Sequence, residues 1–402
     1  MAEKVFTGNF TQQQPLPEAA IEAAVSVLRS GRLHRYNTAP NEISETAALE
    51  HEYAEWQGAR YCLAVASGGQ AIQIALRAAG VGPGDAVLTN GFTLAPVPGS
   101  IAAVGAHAIL VEIDRNLVMD LDDLSAKIRT SGARHILVSH MRGHLCDMER
   151  LMAIASAADV VVIEDCAHTM GSSWNGRKSG AFGQAGCFST QTYKHLNSGE
   201  GGLLTSDDPD FMARATLMSG SYMLYDRHGA GPDRSSFFQA RYETPQFSTR
   251  MDNLRAAILR PQLAEIDTSI DNWNHRYDRM AEHLECHEWI RLPKRPRAEK
   301  YVGSSIQFFV DGIASDTAVK FLAMLGDSGV ELKWFGSPEP TGYTSAHTSW
   351  RYIAPQKLPA TERILSGLFD MRIPLSFSVE DCDQIAHLII EKGSQIFRAG
   401  CQ

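Results

Sequence analysis

The chain has 402 residues, 44% of them hydrophobic and 21% charged, with a formal net charge of −9. This balance excludes large-scale disorder, and it excludes a general polyanion binder, because affinity for nucleic acid rests on clustered Lys and Arg; any phosphate recognition has to be local. The seven cysteines include no CxxC pair, which suits reduced thiols and not a disulfide framework.

The opening stretch MAEKVFTGNFTQQQPLPEAA has no apolar core of signal-peptide length, and no apolar run approaches a membrane span. A cytoplasmic protein with no membrane contact is expected. LPEAAIEAAVSVLRSG reads as a helix, with Pro17 tolerated in its first turn and Gly31 ending it. YCLAVAS then reads as a strand and QAIQIALRAAG as a helix closed by Gly80. AVLTN and HAILVEI read as strands on either side of the apolar LAPVPGSIAAVG; RHILVSH, the helix DMERLMAIASAA and VVVIED follow.

Short apolar strands separated by helices imply βαβ units and a mainly parallel sheet with helices on both faces. After residue 265 the pattern changes to the long helix DNWNHRYDRMAEHLECHEW, the strand-like SSIQFFVDGI, the helix DTAVKFLAMLGDSG and a closing VEDCDQIAHLIIEKGSQIF. The expected organisation is a large α/β domain over 1–265, with a helical segment at its amino end, and a smaller α+β domain over 266–402.

In such sheets chemistry collects at the carboxyl ends of strands, where loops meet helix amino termini. ASGGQAI ends one strand and opens a helix: Ser67, Gly68, Gly69 and Gln70 allow close backbone approach and offer amide groups to a phosphate. VVVIEDCAHTMG ends another strand in Glu164 and Asp165, which alternation sends to opposite faces, so that one of them reaches the site. A carboxylate beside a pyridine nitrogen keeps it protonated and makes the ring an electron sink. His168, three residues on, can hydrogen-bond a phenolic oxygen. FSTQTYKHLNSGEGG supplies Lys194, an amine able to form a Schiff base, with Ser189 upstream as a second phosphate ligand and glycines downstream.

Each of these has a plainer reading taken singly: a connecting turn, a helix cap, a structural histidine, an exposed lysine. Their order along the chain describes a pocket for a phosphorylated, nitrogen-containing aromatic cofactor, and pyridoxal 5′-phosphate is that kind of molecule. HMRGHLCDM offers His140, His144 and Cys146, but Gly143 and the preceding strand make it a strand-to-loop junction, so no metal is expected.

As a set, SGGQAIQIALRAAGVGPGD, HMRGHLCDM, IEDCAHTMGSSWNGRKSGAFG, CFSTQTYKHLNSGEGG and FSTRMDNLRAAI resemble the DegT/DnrJ/EryC1/StrS family of sugar aminotransferases, within the fold-type I pyridoxal-phosphate enzymes. The resemblance implies that Lys194 forms the Schiff base with the cofactor and carries the proton between substrate and cofactor. It implies Asp165 as partner of the pyridine nitrogen, His168 beside the ring oxygen, and Ser189 with Gly68 and Gly69 on the phosphate. It implies a homodimer with active sites at the subunit interface.

Three positions depart from the family's pattern. Gly69 replaces a threonine in the phosphate turn, Ser248 replaces an asparagine that reaches the other subunit's phosphate, and Leu94 replaces an aromatic that stacks on the ring, for which Phe92 is a candidate substitute. Arg35, Tyr36 and Arg142 also stand where the family has other residues; an arginine fork suits an acidic substrate or a nucleotide diphosphate, and an ordinary surface or interface arginine is an equal reading of each. VELKWFGSPEPTGYTSAHTSWRYIAP is unlike a typical member.

The implied activity moves an amino group from an amino acid donor to a keto acceptor, a ketosugar that is often nucleotide-linked. One alternative keeps the cofactor for lyase, aldolase or carbon–carbon bond-forming chemistry on an amino acid. Another, of a different class, is a non-catalytic regulatory or binding protein on the same fold.

Overall fold

The computed structural model describes residues 5–39, 41–342 and 346–397. Strands β1 (Tyr61–Val65), β2 (Ala86–Asn90), β3 (His107–Val111), β4 (His135–Ser139) and β5 (Val161–Asp165) are the apolar runs expected from the sequence. After the short β6 (Ser173–Trp174) and β7 (Arg177–Lys178) come β8 (Ala185–Ser189) and β9 (Gly202–Ser206). The main sheet has the order β1-β9-β8-β5-β4-β2-β3. From β8 to β3 every pairing is parallel, and β9 alone runs against both its neighbours. The sheet is therefore mainly parallel, as its two-sided apolar strands require.

Alternation distributes each strand over two cores. In β1, Leu63 and Val65 join the layer formed with α3 (Gly68–Ala78), while Cys62 and Ala64 join the layer of Leu49 and Tyr53 on the other face. In β4, Leu137 faces the first layer and Ile136 and Val138 face the helices Leu121–Ser131 and Met148–Ala157. Polar caps set the helix starts: Asp120 accepts from the amides of Asp122 and Asp123, and Asp147 from that of Arg150. The open edge at β3 is blunted by Gln356, whose Oε1 accepts from Leu110 N at 2.8 Å and whose Nε2 donates to Ala108 O at 2.9 Å.

The amino-terminal helix is Glu18–Ser30, ending at Gly31 with φ +67°, a left-handed position that favours glycine. The apolar LAPVPGSIAAVG holds a helix, Pro96–Ala103, so the link between β2 and β3 is a full crossover. The long helix Ile266–Glu285 leads into β10 (Glu299–Lys300), β11 (Ser305–Phe309), β12 (Lys333–Trp334) and β13 (Leu368–Arg372). A second sheet has the order β11-β13-β12 and packs with Ser315–Asp327 and Val379–Phe397. Its core also takes Phe6 and Phe10 from the start of the chain, with Phe6 N donating to Ser328 O at 2.9 Å.

Candidate active site

The carboxyl ends of β1, β4, β5 and β8 meet at one cavity of about 610 Å³, from which a recess of about 100 Å³ reaches down to Asp165. Ser67 caps α3: its Oγ accepts from Gln70 N at 3.2 Å and its carbonyl from Ala71 N at 3.0 Å. The amides of Gly68 and Gly69 have no acceptor within the helix, so they and the helix dipole favour an anion there. Two glycines make room. A Cβ on Gly68 would lie 2.8 Å from Ser189 Cβ, and one on Gly202 would lie 2.4 Å from the Ser67 carbonyl, so only bare backbone lets α3, β8 and β9 come this close.

At the end of β5 the two carboxylates part as alternation requires. Glu164 turns into the protein, where its oxygens accept from the amides of Gly180, Phe182 and Gly183, each at 2.8 Å. Asp165 turns to the recess. Ser139 Oγ donates to its Oδ2 at 2.8 Å, Ala167 N to its Oδ1 at 3.2 Å, and Thr93 Oγ1 holds Ser139 Oγ at 2.7 Å. This row of hydroxyls fixes the position of the carboxylate.

Lys194 sits in the connection between the antiparallel β8 and β9, a loop closed by Thr190 N to Gly201 O at 2.9 Å and Thr192 N to Gly199 O at 3.0 Å. Its Nζ lies 2.8 Å from His168 Nε2. Burial pushes the Lys194 amine down to about 7, Asp165 acting against that and Arg142 and Arg372 adding to it. Burial, with Lys194 as the nearest charge, also holds the His168 imidazole well below its ordinary value, so the ring is neutral.

The other expected residues separate. Leu94 lines the cavity, but Phe92 does not replace it: the ring is buried edge-on against Phe335 at 5.0 Å. Gln70 contributes its capped amide and is not in the cavity lining. Ser248 lies on the surface at φ +54°, 3.2 Å from Tyr222 Oη. Arg35 corrects the expectation of a substrate arginine. It is buried, its guanidinium taken by Glu50 at 2.7 and 2.8 Å, while Tyr36 bonds His228 at 3.1 Å.

Arg142 does reach the cavity, from a backbone at φ +57°. His144 Nε2 donates to Gln307 Oε1 at 2.8 Å, and Cys146 is buried against Met148, so His140 and His144 do not converge on a metal. His140, Glu164 and Cys166 place ligand atoms within 4.8 Å of one another, yet both Glu164 oxygens are already engaged by backbone amides.

The opposite wall was not read from the sequence: Ser305, Lys333 and Arg372 come from the second sheet. The one signal available was a basic residue at the end of an apolar strand, in LFDMRIP.

Comparison with known proteins gives this geometry a context. The profile of the DegT/DnrJ/EryC1/StrS aminotransferase family matches residues 16–390. The chain belongs to this family. A GDP-perosamine synthase of Caulobacter vibrioides is 33% identical over 220 residues, 54% of this chain and 56% of that protein. A UDP-N-acetyl-3-dehydro-alpha-D-glucosamine 3-aminotransferase of Acidithiobacillus ferrooxidans is 30% identical over 301 residues, 73% of this chain and 77% of that protein. The chain thus spans little more than half the length of the first of these relatives. Among solved structures, the aminotransferase TlmJ from Streptoalloteichus hindustanus superposes with a TM-score of 0.82 at 21% identity, covering 97% of this chain and 100% of that one.

The fold is accordingly that of the pyridoxal-phosphate aminotransferases, and pyridoxal phosphate is the family's cofactor. The residues present fit it. A cradle of bare glycine backbone faces a helix amino terminus, the Asp165 carboxyl group closes the recess, and an amine with a lowered pKa stands between them.

Proposed function

We propose that this chain is a pyridoxal-phosphate-dependent aminotransferase that moves an amino group from an amino acid donor to a keto acceptor of the ketosugar class, nucleotide-linked or free. The observation that carries the proposal is Lys194, an amine brought to about 7 inside the cavity, with Asp165 below it and the start of α3 beside it. The relatives' names support the acceptor class: one makes GDP-perosamine, another acts on a UDP-linked 3-dehydro-glucosamine, and one of Streptomyces lividus is an L-glutamine:2-deoxy-scyllo-inosose aminotransferase.

In this reading Ser67, Gly68, Gly69 and Ser189 hold the cofactor phosphate, with the α3 dipole adding to the attraction. Asp165, fixed by Ser139, holds the pyridine nitrogen protonated. The bound cofactor supplies the electron sink that makes the donor's Cα–H acidic. Burial lowers the free Lys194 amine to about 7, which suits it to take that proton as a base and return it as an acid. Neutral His168 positions the lysine and meets the ring oxygen.

A homodimer belongs to the same proposal. Tyr222, Met223, Phe238, Tyr242 and Phe247 are exposed in the stretch 222–248 that ends at Ser248, Tyr242 to 77%, and exposed apolar side chains favour burial against a second copy. So do a division into domains 1–265 and 266–402 and a cytoplasmic location. Among the described residues no helix is long and apolar enough to cross a membrane.

The test adds L-glutamate, L-glutamine and other amino donors singly to the cofactor-loaded protein and follows its absorption. The expected result is loss of the visible band to a near-ultraviolet band, reversed by a keto acid. A visible band that no donor converts would overturn the transaminase reading in favour of other chemistry on the same cofactor.

A further inference from the structure

Four consecutive residues of the junction after β4 are each tied to a residue at least 152 positions further along the chain. Arg142 Nη2 lies 2.8 Å from Asp370 Oδ2, and the Gly143 carbonyl accepts from Arg295 Nη1 at 2.7 Å. His144 Nε2 donates to Gln307 Oε1 at 2.8 Å, and Leu145 N donates to Glu299 Oε1 at 2.9 Å. Arg295 and Glu299 also pair with each other, at 3.1 Å. Gln307 is on β11 and Asp370 on β13, while Arg295 and Glu299 lie in the segment that leads to them, so the second sheet and its lead-in clasp this junction.

The same junction touches the wall that carries Lys194. His140 N donates to Asp165 O at 3.1 Å, and a Cβ on Gly143 would lie 3.2 Å from His168 O and 3.4 Å from Val302 O. Gly143, at φ +81°, therefore threads between the turn of His168 and the approach to β11, where a side chain would press on both. Arg142 before it takes φ +57°, a conformation uncommon for a residue with a Cβ, and one that persists where its surroundings hold it.

Here the hold is a chain of buried polar side chains. Gln307 and Asp370 face each other across β11 and β13, and Gln307 Nε2 donates to Asp370 Oδ1 and to Ser305 Oγ, each at 2.8 Å. His144, kept neutral by burial and then by the charge of Arg295, thus fixes the Gln307 amide. Gln307 in turn fixes the Asp370 carboxylate, which meets the Arg142 guanidinium. All four side chains are buried. The last contact is an ion pair and not an aligned hydrogen bond, so where the guanidinium sits depends on where the carboxylate is held. The Phe335 ring, 5.9 Å away, completes the seat, and Arg142 lines the cavity of Lys194.

We propose that His144, Gln307 and Asp370 are positioning residues, which through this chain hold the Arg142 guanidinium as a fixed positive charge on the wall of the Lys194 cavity. This deepens the proposed function and rests on one part of it, that Lys194 is the amine that captures the cofactor; it needs no transamination. A guanidinium stays charged across the working pH range, and a cation kept in a shared cavity raises the cost of a second one, so Lys194 is favoured as the neutral amine. Other charged groups act on the same amine: Asp165 from β5, Arg372 from β13, Lys333 from β12 and Glu200 from its own loop, with His168 and His195 buried beside it. They are present in every variant below, so the comparison isolates Arg142.

The experiment follows capture of pyridoxal phosphate by the cofactor-free protein through the rise of the visible band, and records how the rate constant depends on pH. Only the neutral amine attacks the aldehyde, and the cofactor's own groups titrate alike in all variants, so differences in midpoint report Lys194. Arg142→Met is expected to raise the midpoint by about half a unit or more. Gln307→Met and His144→Leu replace neutral side chains by neutral ones, yet each is expected to raise it in the same direction. Neither is expected to raise it further once Arg142→Met is present, because both act through that residue. His144→Gln, whose amide can donate to Gln307, is expected to restore the wild-type midpoint. His144→Leu keeps the bond between Gln307 and Asp370, so the test stands even where Gln307→Met fails to fold.

An unmoved midpoint in Arg142→Met would overturn the role of the charge. A shift there with none in Gln307→Met and His144→Leu, or equal shifts from these two with and without Arg142, would overturn the positioning. Capture is read without any amino donor, so a protein in which these shifts appear while no donor converts the cofactor would sink the aminotransferase reading and leave the clasp standing.

Discussion

The two walls of the cavity are built in different ways. The wall with Ser67, Asp165, His168, Ser189 and Lys194 is made of strand ends and the turns that follow them, each a short contiguous motif. The wall with Ser305, Lys333 and Arg372 is made by pairing β11, β13 and β12, strands up to 63 residues apart along the chain in the contact of Gln307 with Asp370. In the proposed reaction the first wall carries the bond-making chemistry. The second faces it across the cavity, and no reacting bond depends on its backbone.

If that division holds, the largest effect comes from the first wall. Lys194→Ala is expected to lower the rate of the donor half-reaction by on the order of 10³-fold or more, since it removes both the nucleophile and the proton carrier. Stopped-flow absorption reads the rate, and circular dichroism checks that the fold is intact. A variant within tenfold of wild type would move the chemistry elsewhere.

Arg35 offers a contrast within the arginines. Arg35→Met leaves Glu50 buried without its bidentate cation, with only His228 at 3.3 Å and Ala64 N at 2.7 Å beside it, so a loss of about 3 kcal/mol in stability is expected with KM values unchanged in the protein that remains folded. Glu50 is held down at about 2, by Arg35 first and His228 second against the cost of burial. Urea denaturation and steady-state kinetics separate the two effects. A raised KM without loss of stability would return Arg35 to the substrate.

Asp165→Asn keeps the shape of the recess and removes its charge. It is expected to cost roughly 10²-fold in the half-reaction, the scale of a preorganised electrostatic contact. Ser139→Ala should give a fraction of that loss, because Ser139 acts only by holding the carboxylate.

These expectations also show what could be read in advance. Lys194, Asp165 and Ser189 were visible because turn glycines, strand alternation and residue chemistry act over a few neighbours. Arg35 stayed open between substrate and surface, and lies in neither place, for a physical reason: a sequence does not say which carboxylate waits in the core, and Glu50 lies on the next helix with no mark of burial. The core of the second sheet was only half legible, because Phe6 and Phe10 join it from the other end of the chain. Lys333 and Arg372 needed strand register, which short apolar runs do not encode by themselves.

The titration of Lys194 gives a smaller effect with a definite sign. In the cofactor-free protein its pKa is lowered to about 7, below the roughly 10.4 of an unfolded chain. Between those values the unfolded state binds more protons, so stability rises as pH increases from about 7 and levels off near 10, with a slope of at most about 1.4 kcal/mol per pH unit. Subtracting the curve of Lys194→Met isolates this slope from other groups. A flat difference would mean that the amine is charged in the folded state.

The smallest effect tests the cradle one residue at a time, by contrasting neighbours. A Cβ on Gly68 meets Ser189 Cβ at 2.8 Å, whereas one on Gly69 finds nothing closer than Ser67 Oγ at 3.8 Å and Ser100 Oγ at 3.9 Å. Gly68→Ala must push β8 and α3 apart, so cofactor affinity should fall. Gly69→Thr has room for its side chain and adds one hydroxyl donor near the helix amino terminus, so affinity should rise by about fivefold, the scale of one net hydrogen bond. Titrating the cofactor-free proteins with pyridoxal phosphate and following intrinsic fluorescence measures both. Opposite signs at adjacent residues would place the phosphate against the Gly68 side of the turn, with Gly69 facing open space. Equal signs would mean that helix propensity, which favours either substitution over glycine, outweighs the contact and that the phosphate lies elsewhere.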